Sequence, residues 1–592
     1  MCRIAGIAAH PSRQRTEAVV AMLKSLAHGG PDDEGIFEDE HVALGHRRLS
    51  IIDLSQAGHQ PMLSEDGNLV ITFNGEIYNF QALRKELETF GQVFKTHSDT
   101  EVILQAYRLW GTEAFHRFEG IFAFALYDKQ QNKLLLVRDQ VGVKPLYYSF
   151  RNDQLIFSSE VRAFKAIDPN WPESHTWRTL FLAFGSLPHP TTTLRGVYGL
   201  EPGTWMAIDL HNFSKSINRY HFPVSVDNSV NYGSALELTR AGVMEAVKKN
   251  LIADAPLGVF LSGGIDSSLL TLLADKLQDG VKSISINFDD AQFDERPFQK
   301  RVLECTQNTD HIAHRVTARM FWDSLDDIWC AMDQPTNDGV NTYFVSRCAH
   351  RDGLKTVLSG LGADEVFGGY ASFGRIRMVK YLRSMLPFRT TTAHLLSRYN
   401  ESLRRLVFLD IRGPVGDYLF LRGIHTPDAI ASLLQCDEQE VWDILQDVTI
   451  DLPDNIRNDE YVSHLEFKVY MTNQLLKDTD MMSMWHGLEV RVPFLDTELL
   501  KKIYSVPAAV RYPQHSTKKL LTDALSGVLP EDIVNRRKKG FTFPLSVWMK
   551  EDIEKLKDLC RPDHRDSYTQ DFLQHRIHWS KYWSLAVLNQ FR

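Results

Sequence analysis

The sequence predicts an α/β protein built from two or three domains. Its 592 residues are too many for one hydrophobic core. Before residue 165, apolar strings indicate strands (IFAFALYD, KLLLVRD, QLIFSSE) and amphipathic strings indicate helices (ALRKELETF, TEVILQAYRLW). Around residue 260, the succession GVFLSGGIDSS, LLTLLADKL and KSISINFDD is typical of strand, loop, helix and strand. Such alternation predicts parallel strands joined by right-handed crossovers, with a ligand at their carboxyl ends.

Composition argues against several classes of partner. The net charge of −9 and the sequence pI near 6.2 disfavour a nucleic acid or an anionic membrane surface. No apolar run approaches the length of a membrane span, and the first residues, MCRIAGIAAHPSRQR, lack the apolar core of a signal peptide. We therefore expect a cytoplasmic protein. Its six cysteines are scattered, without a C-x-x-C pair or zinc-site spacing, so free thiols are expected.

A cysteine directly follows the initiator methionine. A small residue at this position normally allows Met1 to be removed, which would leave Cys2 with both a thiol and a free α-amine. The pKa of such an amine, about 7.7 to 8.0, makes it a usable general base near neutral pH. Cys2 is therefore a candidate nucleophile that carries its own base, and a buried or incidental thiol is the alternative.

Five further strings accompany Cys2 before residue 165. They are HRRLSIID from His46, VITFNGEIYN from Val70, SDTE from Ser98, FEGIFAF from Phe118 and RDQVGVKPLYY from Arg138. Together with MCRIAG they closely resemble the glutamine amidotransferase domain of the asparagine synthetase family, an N-terminal-nucleophile hydrolase. The resemblance implies a class II amidotransferase α/β/β/α sandwich, which we expect over 2–210. Residues 211–232 are polar and are predicted to be a linker before a second domain over 233–592.

The resemblance also implies a glutamine pocket. Attack on the glutamine amide places negative charge on the former carbonyl oxygen, which the Asn74 side chain and the Gly75 N–H would bind. Losing one such donor typically costs about 2.7 to 4 kcal/mol. The α-carboxylate of glutamine requires a guanidinium and its α-ammonium requires carboxylates, for which Arg48, Glu76 and Asp99 are the candidates. The predicted pocket also includes the rest of the RLSII string, Leu49, Ser50, Ile51 and Ile52.

Each charged residue of this pocket has a structural alternative. Arg48 could form a surface ion pair, Glu76 could be a turn residue, and Asp99 could cap the helix that follows it. Their joint presence, in the order and at the spacing of the family, favours the glutamine pocket.

The stretch LSGGIDSS predicts a phosphate-binding loop. Glycines let backbone N–H groups converge on an anion, and the following helix adds its positive N-terminal end. No lysine follows the second glycine as in a Walker loop; Asp266 stands there instead, and an aspartate beside a triphosphate implies Mg²⁺. The string resembles the pyrophosphatase loop (PP-loop) of enzymes that convert ATP to AMP and pyrophosphate, and a plain Gly-Ser turn is the alternative. The ATP-binding residues predicted here are Leu261, Ser262, Gly263, Gly264, Asp266, Ser267 and Ser268.

A second glycine-rich loop, SGLGADEVFGGY, follows the predicted strand KTVL. Both loops would end strands on the same side of the sheet. By the resemblance, Ser359 and Gly360 lie near the nucleotide and Ile286 lies beneath the adenine. Asp364 then joins Asp266 as a Mg²⁺ ligand. The alternative is a structural turn with a capping aspartate.

Three later strings, KDTDMMS, LEVRVPFLD and RRKKGF, also resemble the synthetase domain. The resemblance places Lys538, in preference to Lys539, where a lysine neutralises the departing pyrophosphate. Adjacent basic residues are otherwise more often a solvated face.

The two halves imply one reaction. ATP would adenylate an acceptor carboxylate in the second domain, glutamine hydrolysis at Cys2 would free ammonia in the first, and an internal path would carry ammonia between them. The expected partners are small molecules, namely glutamine, ATP and the acceptor, with no nucleic acid and no membrane; a homodimer stays open. The helical stretch from about 372 to 450 is expected to cover the acceptor pocket or a partner surface.

Three positions depart from the family pattern. Most members begin MCGI, where this chain has Arg3, and the usual HRGPD reads HGGPD, with Gly29 in place of arginine. The SGEG of aspartate-using synthetases reads SGLG, and Leu361 can neither transfer a proton nor hold an ammonium group. With the strings DQP and DGVNTY, Leu361 leaves open whether the acceptor is aspartate or another carboxylate of a polysaccharide or secondary-metabolite pathway.

Two other classes of function are less favoured. A ring-closing enzyme of the β-lactam-synthetase kind would share the fold, but such enzymes usually lose the cysteine that is intact here. A non-enzymatic scaffold is disfavoured because both phosphate loops are retained.

Overall fold

A computed structural model of the chain describes residues 2–9, 15–151, 153–220, 224–385, 401–453, 456, 458–513, 518–536, 543–560 and 562–591. In these ranges, two six-stranded sheets lie in the N-terminal part and one five-stranded sheet lies in the C-terminal part. Helices flank all three sheets, so the chain is α/β throughout, as the sequence predicts.

The N-terminal domain is a sandwich of two antiparallel sheets. Its strands are β1 (Arg3–Ala9), β2 (Asp33–Glu38), β3 (Val42–Arg48), β4 (Met62–Leu63), β5 (Leu69–Ile77), β6 (Gly120–Asp128), β7 (Lys133–Arg138), β8 (Tyr147–Arg151), β9 (Gln154–Ser158), β10 (Tyr198–Gly199), β11 (Thr204–Asp209) and β12 (Lys215–Arg219). One sheet has the order β10-β8-β9-β1-β3-β2 and the other β12-β11-β7-β6-β5-β4. Ile4, Leu44 and Val70 belong to the apolar core between them.

Helices cover the outer faces of both sheets. They are α1 (Arg15–Ser25), α2 (Phe80–Thr89), α3 (Asp99–Trp110) and α4 (Arg162–Ile167). The next helix, α5 (Trp177–Phe184), packs instead in the large core of the second domain. α1 and α4 pack on the first sheet through Val19 and Phe164, and α2 and α3 pack on the second through Leu83 and Ile103. The layers are therefore α/β/β/α, which confirms the predicted sandwich. Because β5 is covered on both faces, every one of its residues is buried.

The C-terminal domain is built on a parallel sheet. Its strands are β13 (Leu257–Phe260), β14 (Lys282–Asn287), β15 (Asp310–Arg315), β16 (Thr356–Leu358) and β17 (Glu489–Arg491). Their order is β15-β14-β13-β16-β17, and all neighbours are parallel. The chain runs outward from β13 to β15 and then returns to the other side of β13 as β16. Such a switch point is where open parallel sheets bind ligands, and both glycine-rich loops lie there, as predicted.

Helices surround this sheet. They are α6 (Tyr232–Asn250), α7 (Ile265–Leu277), α8 (Arg296–Leu303), α9 (Ala318–Asp323), α10 (Leu325–Ala331), α11 (Val340–Arg351), α12 (Ala363–Phe367), α13 (Ser372–Met385), α14 (Pro414–Arg422), α15 (Pro427–Leu434), α16 (Glu438–Gln446), α17 (Asp459–Leu465), α18 (Leu476–Met484), α19 (Thr497–Ser505), α20 (Ala508–Arg511), α21 (Lys519–Ala524), α22 (Glu531–Val534), α23 (Leu545–Glu551), α24 (Ile553–Asp558), α25 (Pro562–Leu573) and α26 (Trp579–Gln590). A π-helical segment, Glu466–Leu475, joins α17 to α18. None of the described helices combines the length and the apolarity needed to cross a bilayer.

The described part of the stretch from 372 to 450 is mostly helical. It contains α13, a 3₁₀ helix (Glu401–Asp410) and α14 to α16, and residues 386–400 lie outside the described part. Val379, Leu406 and Leu419 pack into the large core of the second domain. These helices therefore pack on that core, and a role at the acceptor pocket or a partner surface stays a prediction.

The segment 211–232 differs from the predicted linker. Lys215–Arg219 forms β12, which pairs with β11 and extends the second sheet. The side chains of β12 are mostly exposed, so the strand lacks the apolar alternation by which a strand is recognised in a sequence. α6 begins at Tyr232, after Asn231 accepts the N–H of Ser234 at 3.1 Å.

The two domains share one apolar core. Leu49 and Ile51 of the first domain pack in a single cluster with Val243, Leu257 and Val492 of the second. The carbonyl oxygen of Ile51 also accepts two backbone N–H groups of the segment before β13, at 3.0 and 3.2 Å. The strand end that carries the predicted glutamine pocket is therefore fixed against the second domain.

Candidate active sites

Cys2 lies just before β1 and is buried, with 7% of its surface exposed. Its backbone N–H donates to Asn74 Oδ1 at 3.1 Å, and its Sγ lies 3.9 Å from the carbonyl oxygen of Leu49. Burial raises the pKa of the Cys2 thiol above its ordinary value, so a thiolate at this position needs a base beside it. Removal of Met1 would turn the nitrogen that faces Asn74 into an α-amine next to the thiol.

Asn74 and Gly75 lie next to each other on β5, beside Cys2. While Asn74 Oδ1 accepts from Cys2, the Asn74 Nδ2 is buried and finds no hydrogen-bond partner among the described residues. Gly75 has a φ of +147°, and a Cβ there would lie 2.1 Å from the carbonyl oxygen of Ile121, so only glycine fits. An unsatisfied buried donor costs about 1 to 3 kcal/mol. Such a donor is what an oxyanion pocket requires before its ligand binds.

The Arg48 guanidinium is fixed by the loop that follows β3. It donates to the carbonyl oxygen of Ser55 at 2.8 Å and to that of Asp53. A Cβ at Gly58 would lie 2.0 Å from Arg48 Nη2, so the glycine leaves room for the guanidinium. Arg48 is buried rather than part of a surface ion pair. Of the four residues after it, three are buried and one is half-buried: Leu49, Ser50, Ile51 and, half-buried, Ile52.

Glu76, on β5, and Asp99, the first residue of α3, bring two buried carboxylates to this pocket. Ser98, rather than Asp99, caps α3. Burial, with Glu489 and Asp99 nearby, raises the pKa of Glu76 well above its ordinary value, and burial raises the pKa of Asp99 to about 6. Ionising both buried carboxyl groups together is unfavourable unless a cation lies between them. An ammonium group would therefore bind there favourably.

Two departures from the family pattern meet in space. A Cβ at Gly29 would lie 2.6 Å from Arg3 Cγ and 2.9 Å from Arg3 Nε, so the Arg3 side chain fills the space beside position 29. The Arg3 guanidinium donates to Glu160 at 2.6 Å and to Asp480 of α18 at 2.8 Å. Lys144 also donates to Asp480, at 3.0 Å. The arginine that is missing at position 29 is thus replaced by one on β1 that reaches the second domain.

The loop between β13 and α7 has the geometry of an anion-binding loop. Gly263 has a φ of +76°, and Gly264 precedes α7 without a side-chain capping bond, which leaves the helix N-terminus to the loop. The hydroxyls of Ser262 and Ser267 lie 2.9 Å apart and hold the loop closed.

A cavity of about 650 Å³ lies beyond the carboxyl ends of β13 and β16. Most of the predicted nucleotide residues line it, namely Leu261, Ser262, Gly264, Asp266, Ser267, Ile286, Ser359 and Gly360. Gly263 and Ser268 do not line the cavity, because Ser268 is buried within α7 and Gly263 faces Phe298. A Cβ at Gly360 would lie 2.8 Å from Asp266 Cβ, so the glycine is needed where the two loops touch.

Lys518, just before α21, is a residue of this cavity that sequence reasoning misses. Its Nζ lies 2.5 Å from Asp266 Oδ2 and 2.6 Å from Asp364 Oδ1. Burial disfavours its charge, but the two aspartates outweigh burial and raise the pKa of Lys518 above its ordinary value. One cation therefore bridges both predicted Mg²⁺ ligands. Mg²⁺ commonly takes one or two protein carboxylates together with phosphate oxygens, so the pair fits this ion.

The wall of the same cavity contains three carboxyl groups that the sequence did not single out as ligands; those of Glu365 and Asp478 are buried, and that of Asp338 is half-buried. Burial raises the pKa of Asp338; burial and then Asp338 raise that of Asp478 well above its ordinary value. Burial and then Asp364 raise the pKa of Glu365 to about 8. Leu361 lines the same cavity. Groups that can transfer a proton are therefore present in the cavity wall, although residue 361 itself is apolar.

Comparison with known proteins agrees with both halves of the site. A family model described as a glutamine amidotransferase domain matches residues 1–221, and one described as asparagine synthase matches residues 239–585. The chain belongs to the asparagine synthetase family. This membership makes it a glutamine-dependent carbon–nitrogen ligase, as the resemblance implied, and favours neither the ring-closing enzyme nor the scaffold.

Relatives of this asparagine synthetase family member span almost the whole chain. Asparagine synthetase [glutamine-hydrolyzing] 1 of Bacillus subtilis is 31% identical over 585 residues, covering 96% of this chain and 91% of its own. Amidase chry2 of Gibberella zeae is 27% identical over 613 residues, covering 93% and 90%. A solved glutamine phosphoribosylpyrophosphate amidotransferase from B. subtilis covers 53% of this chain and 81% of its own, with 15% identity and a TM-score of 0.29, values too low to carry an argument.

Lys538 and Lys539, for which the family implies a role at pyrophosphate, lie outside the described residues. The beginning of their string is described. Arg536 donates to the carbonyl oxygen of Gly263 at 2.9 Å and to Glu295 at 2.6 Å. The string RRKKGF thus starts at the phosphate loop, and the role of Lys538 stays a prediction.

Proposed function

We propose that this chain hydrolyses glutamine at Cys2 and transfers the ammonia to a carboxylate that ATP has adenylated, with release of AMP and pyrophosphate. The acceptor is aspartate or a related carboxylic acid. The observation that carries the proposal is the buried Cys2 beside Asn74, whose Nδ2 has no hydrogen-bond partner among the described residues, in a domain packed against a phosphate loop and its cavity.

In the first half-reaction, the α-amine of Cys2 takes the proton of the thiol, and the sulfur attacks the amide carbon of glutamine. The developing oxyanion is bound by Asn74 Nδ2 and the Gly75 N–H. The amine then returns its proton to the departing nitrogen, so ammonia leaves and a thioester remains, which water hydrolyses to glutamate. Arg48 holds the α-carboxylate of glutamine, and Glu76 and Asp99 hold its α-ammonium.

In the second half-reaction, the loop after β13 and the N-terminus of α7 hold the phosphates of ATP, and Ile286 contacts the adenine. Asp266 and Asp364 would hold Mg²⁺, which would supply positive charge for the departing pyrophosphate. Lys518 holds the two aspartates close to each other, and its positive charge also attracts the phosphates. The acceptor carboxylate attacks the α-phosphate, and ammonia displaces AMP from the acyl-adenylate.

Ammonia reaches the adenylate through the interface of the two domains. The shared core there is apolar, with Ile51, Val141 and Val143 from one side and Leu358 and Val492 from the other. An apolar route favours neutral ammonia over ammonium, and only the neutral form is a nucleophile.

A non-aspartate acceptor is the second candidate, and Leu361 in the cavity wall supports it. The cavity wall also has the carboxyl groups of Asp338, Glu365 and Asp478, which in their charged forms would repel a second carboxylate on the acceptor unless it carried a cationic group nearby. A location in the cytoplasm and a homodimer stay predictions.

The decisive experiment compares nitrogen donors and acceptors. Wild-type protein is expected to form AMP from ATP with one acceptor and either glutamine or ammonium chloride, and Cys2→Ala is expected to do so with ammonium chloride alone. A panel of carboxylic acids, including aspartate, identifies the acceptor. The proposal fails if wild type releases no glutamate from glutamine, or if Cys2→Ala still uses glutamine.

A further inference from the structure

The predicted glutamine pocket receives an arginine from the other domain. Arg491, the last residue of β17, is fully buried, and its Nη2 lies 3.9 Å from Glu76 Oε2. Neither of these two atoms has a hydrogen-bond partner among the described residues. A buried donor and a buried acceptor thus face each other just beyond hydrogen-bonding distance.

The rest of the Arg491 guanidinium is held in place. Its Nε donates to Glu489 at 2.5 Å, and its Nη1 donates to the carbonyl oxygens of Asn250 at 2.8 Å and Ile252 at 2.6 Å. With these donors used, Nη2 is the part of the guanidinium that is directed at Glu76. Arg491 therefore cannot turn away from the pocket without breaking buried bonds.

The backbone of Arg491 belongs to the nucleotide site. Its carbonyl oxygen accepts the N–H of Ser359 at 2.8 Å, and Arg491 pairs in register with Leu358 of β16. One residue therefore contacts the nucleotide loop through its main chain and faces the glutamine pocket through its side chain.

Charge explains why a cation is needed here. Glu76, Asp99 and Glu489 are three buried carboxyl groups within interaction range of one another. Burial and then Glu489 and Asp99 raise the pKa of Glu76, and Arg491 opposes this rise. Removing the arginine would therefore raise the pKa of Glu76 further and weaken its attraction for an ammonium group.

We propose that Arg491 is a positioning residue of the glutamine pocket, supplied by the synthetase domain, which orients the Glu76 carboxyl group and favours its charged form for the α-ammonium of glutamine. This inference rests on the proposed role of Glu76. The pocket is then complete only when the two domains are packed together.

The test separates glutamine binding from the chemistry at Cys2. Glutamate release by the full-length protein is measured for Arg491→Met and Arg491→Lys. We expect Arg491→Met to raise the KM for glutamine about tenfold, as one pKa unit at Glu76 would. Its kcat should stay within about twofold, because Arg491 does not touch the reacting atoms. Arg491→Lys, which retains the charge, should recover part of the KM.

Arg511→Met is the matched control. Arg511 is equally buried and pairs with Glu460 at 2.9 Å, within the second domain, so its loss should lower Tm and leave the glutamine KM unchanged. An unchanged KM in folded Arg491→Met overturns the inference, and so does an equal rise in Arg511→Met. If Arg491→Met does not fold, Arg491→Lys provides the test. A higher KM for glutamine at an unchanged kcat supports the inference, and an unchanged KM contradicts it. A wild-type protein that releases no glutamate instead refutes the proposed function itself.

Discussion

Moving an arginine from position 3 to position 29 tests whether two unusual residues compensate for each other. Arg3→Gly removes one cation from two buried carboxylates, and breaking a buried ion pair typically costs about 3 to 5 kcal/mol. Glu160 keeps His28 at 2.9 Å and Arg162 at 2.7 Å, and Asp480 keeps a lysine at 3.0 Å. We therefore expect the low end of the range, about 3 kcal/mol.

The single substitution Gly29→Arg lowers the stability for a different reason. Gly29→Arg introduces a Cβ that would lie 2.6 Å from Arg3 Cγ, and overpacking of this kind costs about 1 to 3 kcal/mol. In the double variant, the space vacated at position 3 accepts the new side chain, whose guanidinium can reach the same carboxylates. The double variant should then be more stable than the sum of the single changes by about 2 kcal/mol, within the range for residues in contact.

Thermal unfolding of the three variants measures this coupling. A loss of about 3 kcal/mol corresponds to a Tm lower by roughly 6 to 12 °C for a domain of about 200 residues. The double variant should recover a clear part of that loss, together with glutaminase activity. Strictly additive changes in Tm would refute the reasoning, since they would mean that the two positions do not share one space.

Two further predictions concern single residues. Lys518→Met removes the cation between Asp266 and Asp364, so Mg²⁺ should raise the Tm of this variant more than that of wild type. The control is Lys519→Met, because Lys519 pairs with Asp523 at 2.7 Å. Equal Tm responses to Mg²⁺ in the two variants would contradict the prediction. The pKa of Asp99 is raised to about 6 by burial, so its carboxyl is neutral below that pH and charged above it. We expect kcat/KM for glutamine to increase as pH rises through about 6, and this inflection to be absent in Asp99→Asn; its persistence there would assign it to another group.

The parts of the site that sequence predicts are those built by neighbouring residues. The loop at Gly263 and Gly264 could be recognised because a strand, two glycines and a helix start follow one another along the chain. Asn74 and Gly75 were predicted by the resemblance, which rests on neighbouring residues of the string VITFNGEIYN. The parallel sheet followed from the strand and helix alternation.

The parts that sequence could not predict are those brought together by tertiary packing. Lys518 is one of two adjacent lysines and carries no signal of its contact with Asp266, which is 252 residues away. Arg3 and Gly29 are distant in the sequence, and the contact between these two positions arises only in the folded chain. β12 lies in the segment predicted as a linker because four of its five residues, Lys215, Ser216, Asn218 and Arg219, are polar.

The apolar core that crosses from Leu49 and Ile51 to Val243, Leu257 and Val492 limits how this protein can be engineered or recombined. A chimera that takes its amidotransferase half from another family member would bring a foreign surface to this seam, and mismatched side chains there would open voids or clashes. Such a graft should succeed only if the residues on both sides of the seam are exchanged together.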